Sequence, residues 1–578
     1  MEHQSESKIC QNCKGTFVIV PEDFSFYEKI KVPPPTFCPE CRMIRRLLNR
    51  NERVLFKTNC KLCEKQIFTI YHPDNNFIIY CSLCYTSDKW DPLSFGQDYN
   101  FSIPFFKQLS ELQKKVPRKA LHETMSENCE YANYVLNSKD VYLSFTSVDS
   151  NWIYYCRSAD RSKECMDCYN IIDCESLYEC IQVSKSYGSS NLIDSHSCVS
   201  SHFLFDCTNC TDCCMSSNLK NSKYIFRNQQ LTHEQYYKVI KDLNLQSRKS
   251  RDSLKEEFAK VVNNSIHRFA HIIGSVDVVG DNILRSKKLR NSFHATESED
   301  SKYIMRTVGL KTSYDVFGSL QGELLYEVHG GGRGSHNSHF IAIGNATVDS
   351  EYTDFCTNVQ NLFASISIDK KSYCILNKQY TKEEYFKLKE KIIQHMKEMP
   401  YIDKDRLVYS YGEYFPSICI PFSYNESAAQ EFFPLTKEEI ISKGYLYREA
   451  VINDYDATIF SEDISDEIND QKICNETLEC KHKKICTTHR CTGVFKITEN
   501  EYLFYKKFNL PIPNLCPNCR HYERLIFVRP PILWSRQCMC DKENHGHQGK
   551  CEIEFETTYA PDRPEKVYCE KCYQQEIY

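Results

Sequence analysis

The stretch SKECMDCYNIID, Ser162 to Asp173, places Cys165 and Cys168 at the spacing of a metal-binding knuckle. Its neighbours give it another meaning. The blocks SKDVYLSFTSVD, SNWIYYCRSADR, SKECMDCYNIID and CESLYECIQVSK follow one another without a gap from Ser138 to Lys185. The same phase runs through Ser126, Ser138, Ser150, Ser162, Cys174, Ser186, Cys198, Cys210 and Ser222. Within a block, every third residue is small or apolar. Of the eleven cysteines from Cys129 to Cys214, all but Cys214 share one three-residue phase; chance would place about a third of them there.

Twelve residues are too few for a helix-pair repeat, which needs about 33–34. They suit one coil of a narrow β-solenoid, whose tight interior admits Ser, Cys, Ala, Val and an occasional Leu. About nine coils stacked at ~4.8 Å make a rod on the order of 40 Å long. In this register Cys165 and Cys168 are core thiols; metal ligation and a disulfide are the competing readings.

The array recurs. SLYEC at 176–180 returns as LLYEV at 324–328, and SHFLFDCTN at 201–209 returns as SEYTDFCTN at 350–358. Both arrays run into a capping box, Thr232 with Gln235 and Thr381 with Glu384, which predicts helices to about 260 and 397. Such helices would cap the arrays or cover their strand edges. A third box, Thr436 with Glu439, opens a short helix in the Tyr- and Pro-rich stretch that follows.

Cysteine pairs of a different kind stand at the two ends. Cys10, Cys13, Cys38 and Cys41 form one four-thiolate set, and Cys60, Cys63, Cys81 and Cys84 another. Two short pairs on separate turns supply the four soft ligands of tetrahedral Zn2+, with no position left open, as in structural sites. The C-terminus repeats the design: FYEKIKVPPPTFCPEC is matched by FYKKFNLPIPNLCPNC, and YHPD by YAPD. This assigns Cys491, Cys516, Cys519, Cys538, Cys551, Cys569 and Cys572, about four zinc ions per chain in all. Cys10 has no counterpart in this alignment, because Thr488 stands at its place. Cys486 is the preferred fourth ligand, with Cys480 and His489 as alternatives. A ten-residue insertion, within CMCDKENHGHQGKC, adds Cys540, His545 and His547, either as alternatives to Cys538, as an additional metal site, or as a solvated loop.

After Cys41 the chain reads RMIRRLLNRNERVLFK, with Arg42, Arg45, Arg46, Arg50, Arg53 and Lys57 against Glu52. The order knuckle, hairpin, CPxCR, helix resembles a treble clef, and its basic helix could meet phosphates; a solvated or acid-paired face is the other reading. The C-terminal copy keeps Arg520, Arg524, Arg529 and Arg536. The whole-chain charge of -5 does not itself point to nucleic acid.

In the second array HGGGRGSHNSH, 329–339, lacks the Lys-Ser/Thr of a P-loop, and no G-x-S-x-G accompanies it. It reads as a bulged corner, with His329, His336 and His339 the remaining candidates for chemistry. The polar N-terminus and the lack of a long apolar run give no signal peptide or membrane span, so a cytoplasmic chain with reduced thiols is expected.

The fragments FCPECR, RNER, LNKQYTKEEY, PFSYNESAAQEFFPLTKEE and YAPDRPEKVYCEKC resemble an uncharacterised zinc-ribbon family of candidate-phyla bacteria and giant viruses. The resemblance covers nearly the whole chain and implies architecture and zinc. Some members carry a CaiB/BaiF label, which implies CoA transfer, but these residues do not carry that chemistry.

The expected fold is mainly β with helical caps: two terminal treble-clef or zinc-ribbon modules flanking two tandem narrow β-solenoids. Its segments are a double zinc module (1–92), a connector (93–125), the first solenoid (126–231), a capping-helix region (232–271), and the second solenoid (272–377). A helix and Tyr/Pro-rich connector (378–450), an acidic linker (451–473) and a second double zinc module (474–578) complete it. The expected function is a non-enzymatic scaffold binding RNA, DNA or protein through the zinc modules. The rival is an enzyme with its site near His329–His339.

Overall fold

A computed structural model describes residues 4–331, 333–449, 455–466, 471–483 and 490–577. It is a mixed α/β structure. Most strands lie in two sheets, of 16 and 13 strands, paired almost entirely in parallel, with four-cysteine clusters at both ends of the chain.

The twelve-residue period is the pairing register. Each block supplies two four-residue strands. The first strands stack as Lys139 on Asn151, Lys163, Glu175 and Tyr187 in turn. The second strands stack as Phe145 on Arg157, Tyr169 and Ile181. Within a block the backbone turns at every third residue: from Met125 to Arg227 each third residue has a positive φ. That conformation costs an ordinary L-residue roughly 1–2 kcal/mol and is tolerated best by Gly, Asn and Asp. Asn and Asp are accordingly frequent at these corners, and Thr146 is their one β-branched residue.

The residue after each corner points inward. Cys156, Ala159, Cys165, Cys168, Ile171, Cys174, Leu177 and Cys180 form one continuous core, with Cys165 and Cys168 at 0% and 1% exposure. Ser and Cys recur there for a second reason besides size. Ser138 Oγ accepts the Ser150 N–H at 3.1 Å, Ser150 Oγ the Ser162 N–H at 3.0 Å, and Ser162 Oγ the Cys174 N–H at 3.2 Å. Cys156 Sγ accepts the Cys168 N–H at 3.3 Å. A buried amide without a partner is costly, so every second inward position from Ser138 to Ser162 carries a short acceptor for the amide twelve residues on. Cys214, the cysteine off the phase, faces outward and packs with Phe203, Phe258 and Val262 under the Arg248–Asn264 helix.

The second sheet keeps the register, with interruptions. Tyr314 pairs with Tyr326, and Tyr326 with His339. A shift between Val278 and Gly280 is possible only with glycine: a Cβ on Gly280 would stand 1.8 Å from the Ser292 carbonyl oxygen.

The three capping boxes form at Thr232, Thr381 and Thr436. The helix expected to run to about 260 is two helices, His233–Asp242 and Arg248–Asn264, because Ser247 starts a new cap. They pack on the last strands of the first sheet, as Lys382–Glu398 packs on the second. Residues 455–466, expected as part of a free acidic linker, are docked. Ile464 is buried, Ile459 bridges to Leu478, and Arg248 binds the Ile464 and Ser465 carbonyls. Their isoleucines and backbone groups contribute to this, together with Asp466, which accepts from Ser247 Oγ at 2.9 Å and lies 3.4 Å from Arg248. Among the described residues no helix is long and apolar enough to cross a membrane.

Candidate metal centres

Each four-cysteine group is assembled from a hairpin turn and a helix start. Strands Glu6–Ile9 and Thr16–Ile19 pair antiparallel, and Cys10 and Cys13 lie in the turn between them. The turn closes by Cys10 N–H to the Gly15 carbonyl at 2.9 Å. Cys38 caps the Pro39–Leu47 helix, and Cys41 lies in its first turn. Pro39 fits the first helical position because no N–H is required there. Cys38 N–H donates to Cys10 Sγ at 3.3 Å. The helix N-terminus and the amide both favour thiolate over thiol.

The pattern occurs four times. Cys60, Cys63, Cys81 and Cys84 gather likewise, with Cys81 N–H on Cys60 Sγ at 3.3 Å. Cys538, Cys551, Cys569 and Cys572 form another group, with Cys569 N–H on Cys538 Sγ at 3.2 Å. In the remaining group Cys491, Cys516 and Cys519 are completed by Cys480. The preferred Cys486 and the alternative His489 lie outside the described residues. Cys480 is the geometric counterpart of Cys10: it follows strand Leu478–Glu479, its N–H binds the Gly493 carbonyl at 2.8 Å, and its Sγ accepts the Cys516 N–H at 3.2 Å. A constant-shift alignment misses it because this knuckle has a longer loop.

The sulfurs fit a tetrahedral ion. A metal–sulfur bond of about 2.3 Å sets sulfurs about 3.8 Å apart. Cys13–Cys38 is 3.7 Å, Cys63–Cys81 3.9 Å, Cys480–Cys519 3.9 Å and Cys516–Cys491 4.0 Å. All four groups could hold metal ions, and each offers four ligands. None of the array cysteines joins such a group among the described residues.

The arginines after the knuckles are not a phosphate-binding face. Arg42, Arg45, Arg46 and Arg50 are buried. Arg42 contacts Asp315 at 2.9 Å, and Arg46 reaches Asp315 at 3.0 Å and Glu327 at 2.6 Å. Arg45 lies 3.2 Å from both Glu327 and Glu413. Arg50 pairs with Glu52, and Arg53 lies over the Phe145 ring. At the other end Arg524 contacts Asp167 at 2.8 Å, and Arg520 lies 3.5 Å from Asp167 and from Glu501. The sequence shows the charges but not the partnership with Asp315, Glu327, Glu413 and Asp167, which lie over a hundred residues away.

The Gly/His stretch does not gather its histidines. His329 is buried, with Nδ1 2.9 Å from the Ala342 carbonyl oxygen, and burial pushes its pKa down to about 3. His339 is buried and pushed down to about 4 by the same cause. His336 is half-exposed, 3.7 Å from Glu323. Gly330 and Gly334 take positive φ, in keeping with a bulged corner.

Comparison with protein families, curated proteins and solved structures finds no match to this chain.

Proposed function

We propose that the protein is a zinc-stabilised, non-enzymatic binding scaffold. In this reading the two parallel sheets are tandem β-solenoids, duplicated from one array, with coils of four three-residue sides. The four cysteine groups are closed zinc sites in treble-clef-like modules. Each module clasps the array furthest from it in sequence.

The observation that carries the proposal is a repeated contact. Arg42 and Arg46 bind Asp315, as Arg520 and Arg524 bind Asp167. Arg42 and Arg520 are 478 positions apart, and Asp167 and Asp315 are 148 apart, the offsets of the zinc modules and of the arrays. Zinc holds the helix that presents the arginines, so the metal serves the architecture. With those arginines inside and a net charge of -5, the outer surface favours a protein partner over a polyanion. The separation of His329, His336 and His339 likewise favours a scaffold over an enzyme.

Metal content of the full chain by mass spectrometry should give at least four zinc ions. Titration with a labelled RNA or DNA probe across salt should give no steeply salt-dependent binding. Affinity that falls steeply with salt would instead support the nucleic-acid reading, and a metal-free folded chain would overturn the proposal. Turnover in a substrate screen that is lost in His336→Ala would favour the enzyme.

A further inference from the structure

The insertion after Cys538 gathers a fifth set of ligand atoms. Cys540 Sγ, one nitrogen each of His545 and His547, and Cys572 Sγ lie within 4.8 Å of one another. We propose that this set binds a second metal ion, zinc by its S2N2 chemistry, and that Cys572 bridges it to the ion held by Cys538, Cys551 and Cys569. The proposal rests on the reading of the four-cysteine groups as zinc sites.

The orientation of the two imidazoles points to this. His547 Nδ1 lies 2.8 Å from the Gly549 carbonyl oxygen. A carbonyl can only accept, so Nδ1 carries the proton. Nε2 is then a bare lone pair, and it faces Cys572 Sγ at 3.5 Å. His545 is arranged the other way round. Its Nε2 stands 3.3 Å from the Glu576 carboxylate, and its Nδ1 faces Cys540 Sγ at 3.0 Å. A carboxylate or carbonyl on the far nitrogen is the support that metal-bound histidines ordinarily have.

Bond lengths of about 2.3 Å to sulfur and 2.0–2.1 Å to nitrogen set tetrahedral S···N distances near 3.5 Å. The Cys572–His547 pair has this spacing, and the Cys540–His545 pair must open by about half an ångström. Cys540 and Cys572 are fully buried, and His545 nearly so. Gly546 and Gly549, both at positive φ, shape the loop that carries the histidines. The N-terminal module spaces Cys60 and Cys63 by two residues and has no room for such a loop.

The charges also balance better. One Zn2+ with four thiolates carries -2. A second Zn2+ that displaces the Cys540 thiol proton brings the pair, with five thiolates and two neutral imidazoles, to -1. One proton is released to solvent on binding. A thiolate has lone pairs enough to bridge two ions.

Native mass spectrometry of the full chain, saturated with zinc and desalted, tests this. Five ions are expected in the wild type and four in His545→Ala/His547→Ala and in Cys540→Ala, with unchanged far-ultraviolet circular dichroism. In chains reconstituted with 113Cd, two resonances should show mutual coupling through the shared sulfur, and the coupling should vanish in either variant. Equal metal counts in wild type and both variants would overturn the fifth site while leaving the four-cysteine sites standing. A wild type that binds no metal would overturn the scaffold reading as well.

Discussion

Arg42 and Asp315, 273 positions apart, meet at 2.9 Å with 2% and 0% of their side chains exposed. Arg520 stands over the Tyr155 ring beside Asp167, as Arg42 stands over Tyr303 beside Asp315. Removing one member leaves buried charge without its partner, which costs about 3–5 kcal/mol. Asp315→Ala and Asp167→Ala should each lower stability by that order in denaturant titration. A loss below about 1 kcal/mol in both would mean that these contacts do not hold the modules down.

Cysteine and serine should exchange freely inside the arrays. Cys156→Ser keeps an acceptor for the Cys168 amide and should cost little. Cys156→Ala leaves that buried amide unpaired and should cost about 1–3 kcal/mol. The metal content should be unchanged in both. Loss of an ion from either variant would show that the array thiols bind metal.

Chelation should separate the two classes of cysteine. Removing metal exposes the module thiols, including Cys13 and Cys63, which are already solvent-accessible. The buried in-phase thiols from Cys156 to Cys213 should stay silent to a thiol reagent until the sheets unfold. Protease sensitivity should rise first around the Pro39–Leu47 and Pro517–Leu525 helices, because the metal fixes their N-termini. Simultaneous reaction of all thiols would contradict this order.

Acid should weaken the second sheet through its buried histidines. Burial pushes His329 down to about 3 and His339 to about 4, below the ordinary value of about 6.5. Between those values the unfolded chain binds more protons, so stability is fully present above pH ~6.5 and falls as pH drops. His339→Gln should flatten the slope of stability against pH between 6.5 and 5 by up to ~1.4 kcal/mol per pH unit. An unchanged slope would show that His339 takes up its proton without unfolding.

The sequence by itself determined the twelve-residue register, the inward phase of the cysteines, the helix caps and most of the metal-ligand sets. These are written locally: a side chain's phase follows from backbone period, and a knuckle or capping box spans only a few residues. Cys165 and Cys168 could therefore be told from Cys38 and Cys41 by their neighbours alone. The tertiary structure decided what depends on distant partners. Cys480, one of the alternatives left open by the sequence, completes the set of Cys491, Cys516 and Cys519 because hairpin geometry, not a constant offset, places its sulfur. Arg42, Arg46, Arg520 and Arg524 turn inward because Asp315 and Asp167, at remote corners, await them in the core. Ser138, Ser144, Ser150, Cys156 and Ser162 each accept the amide twelve residues on, a contact that exists only once the strands are stacked.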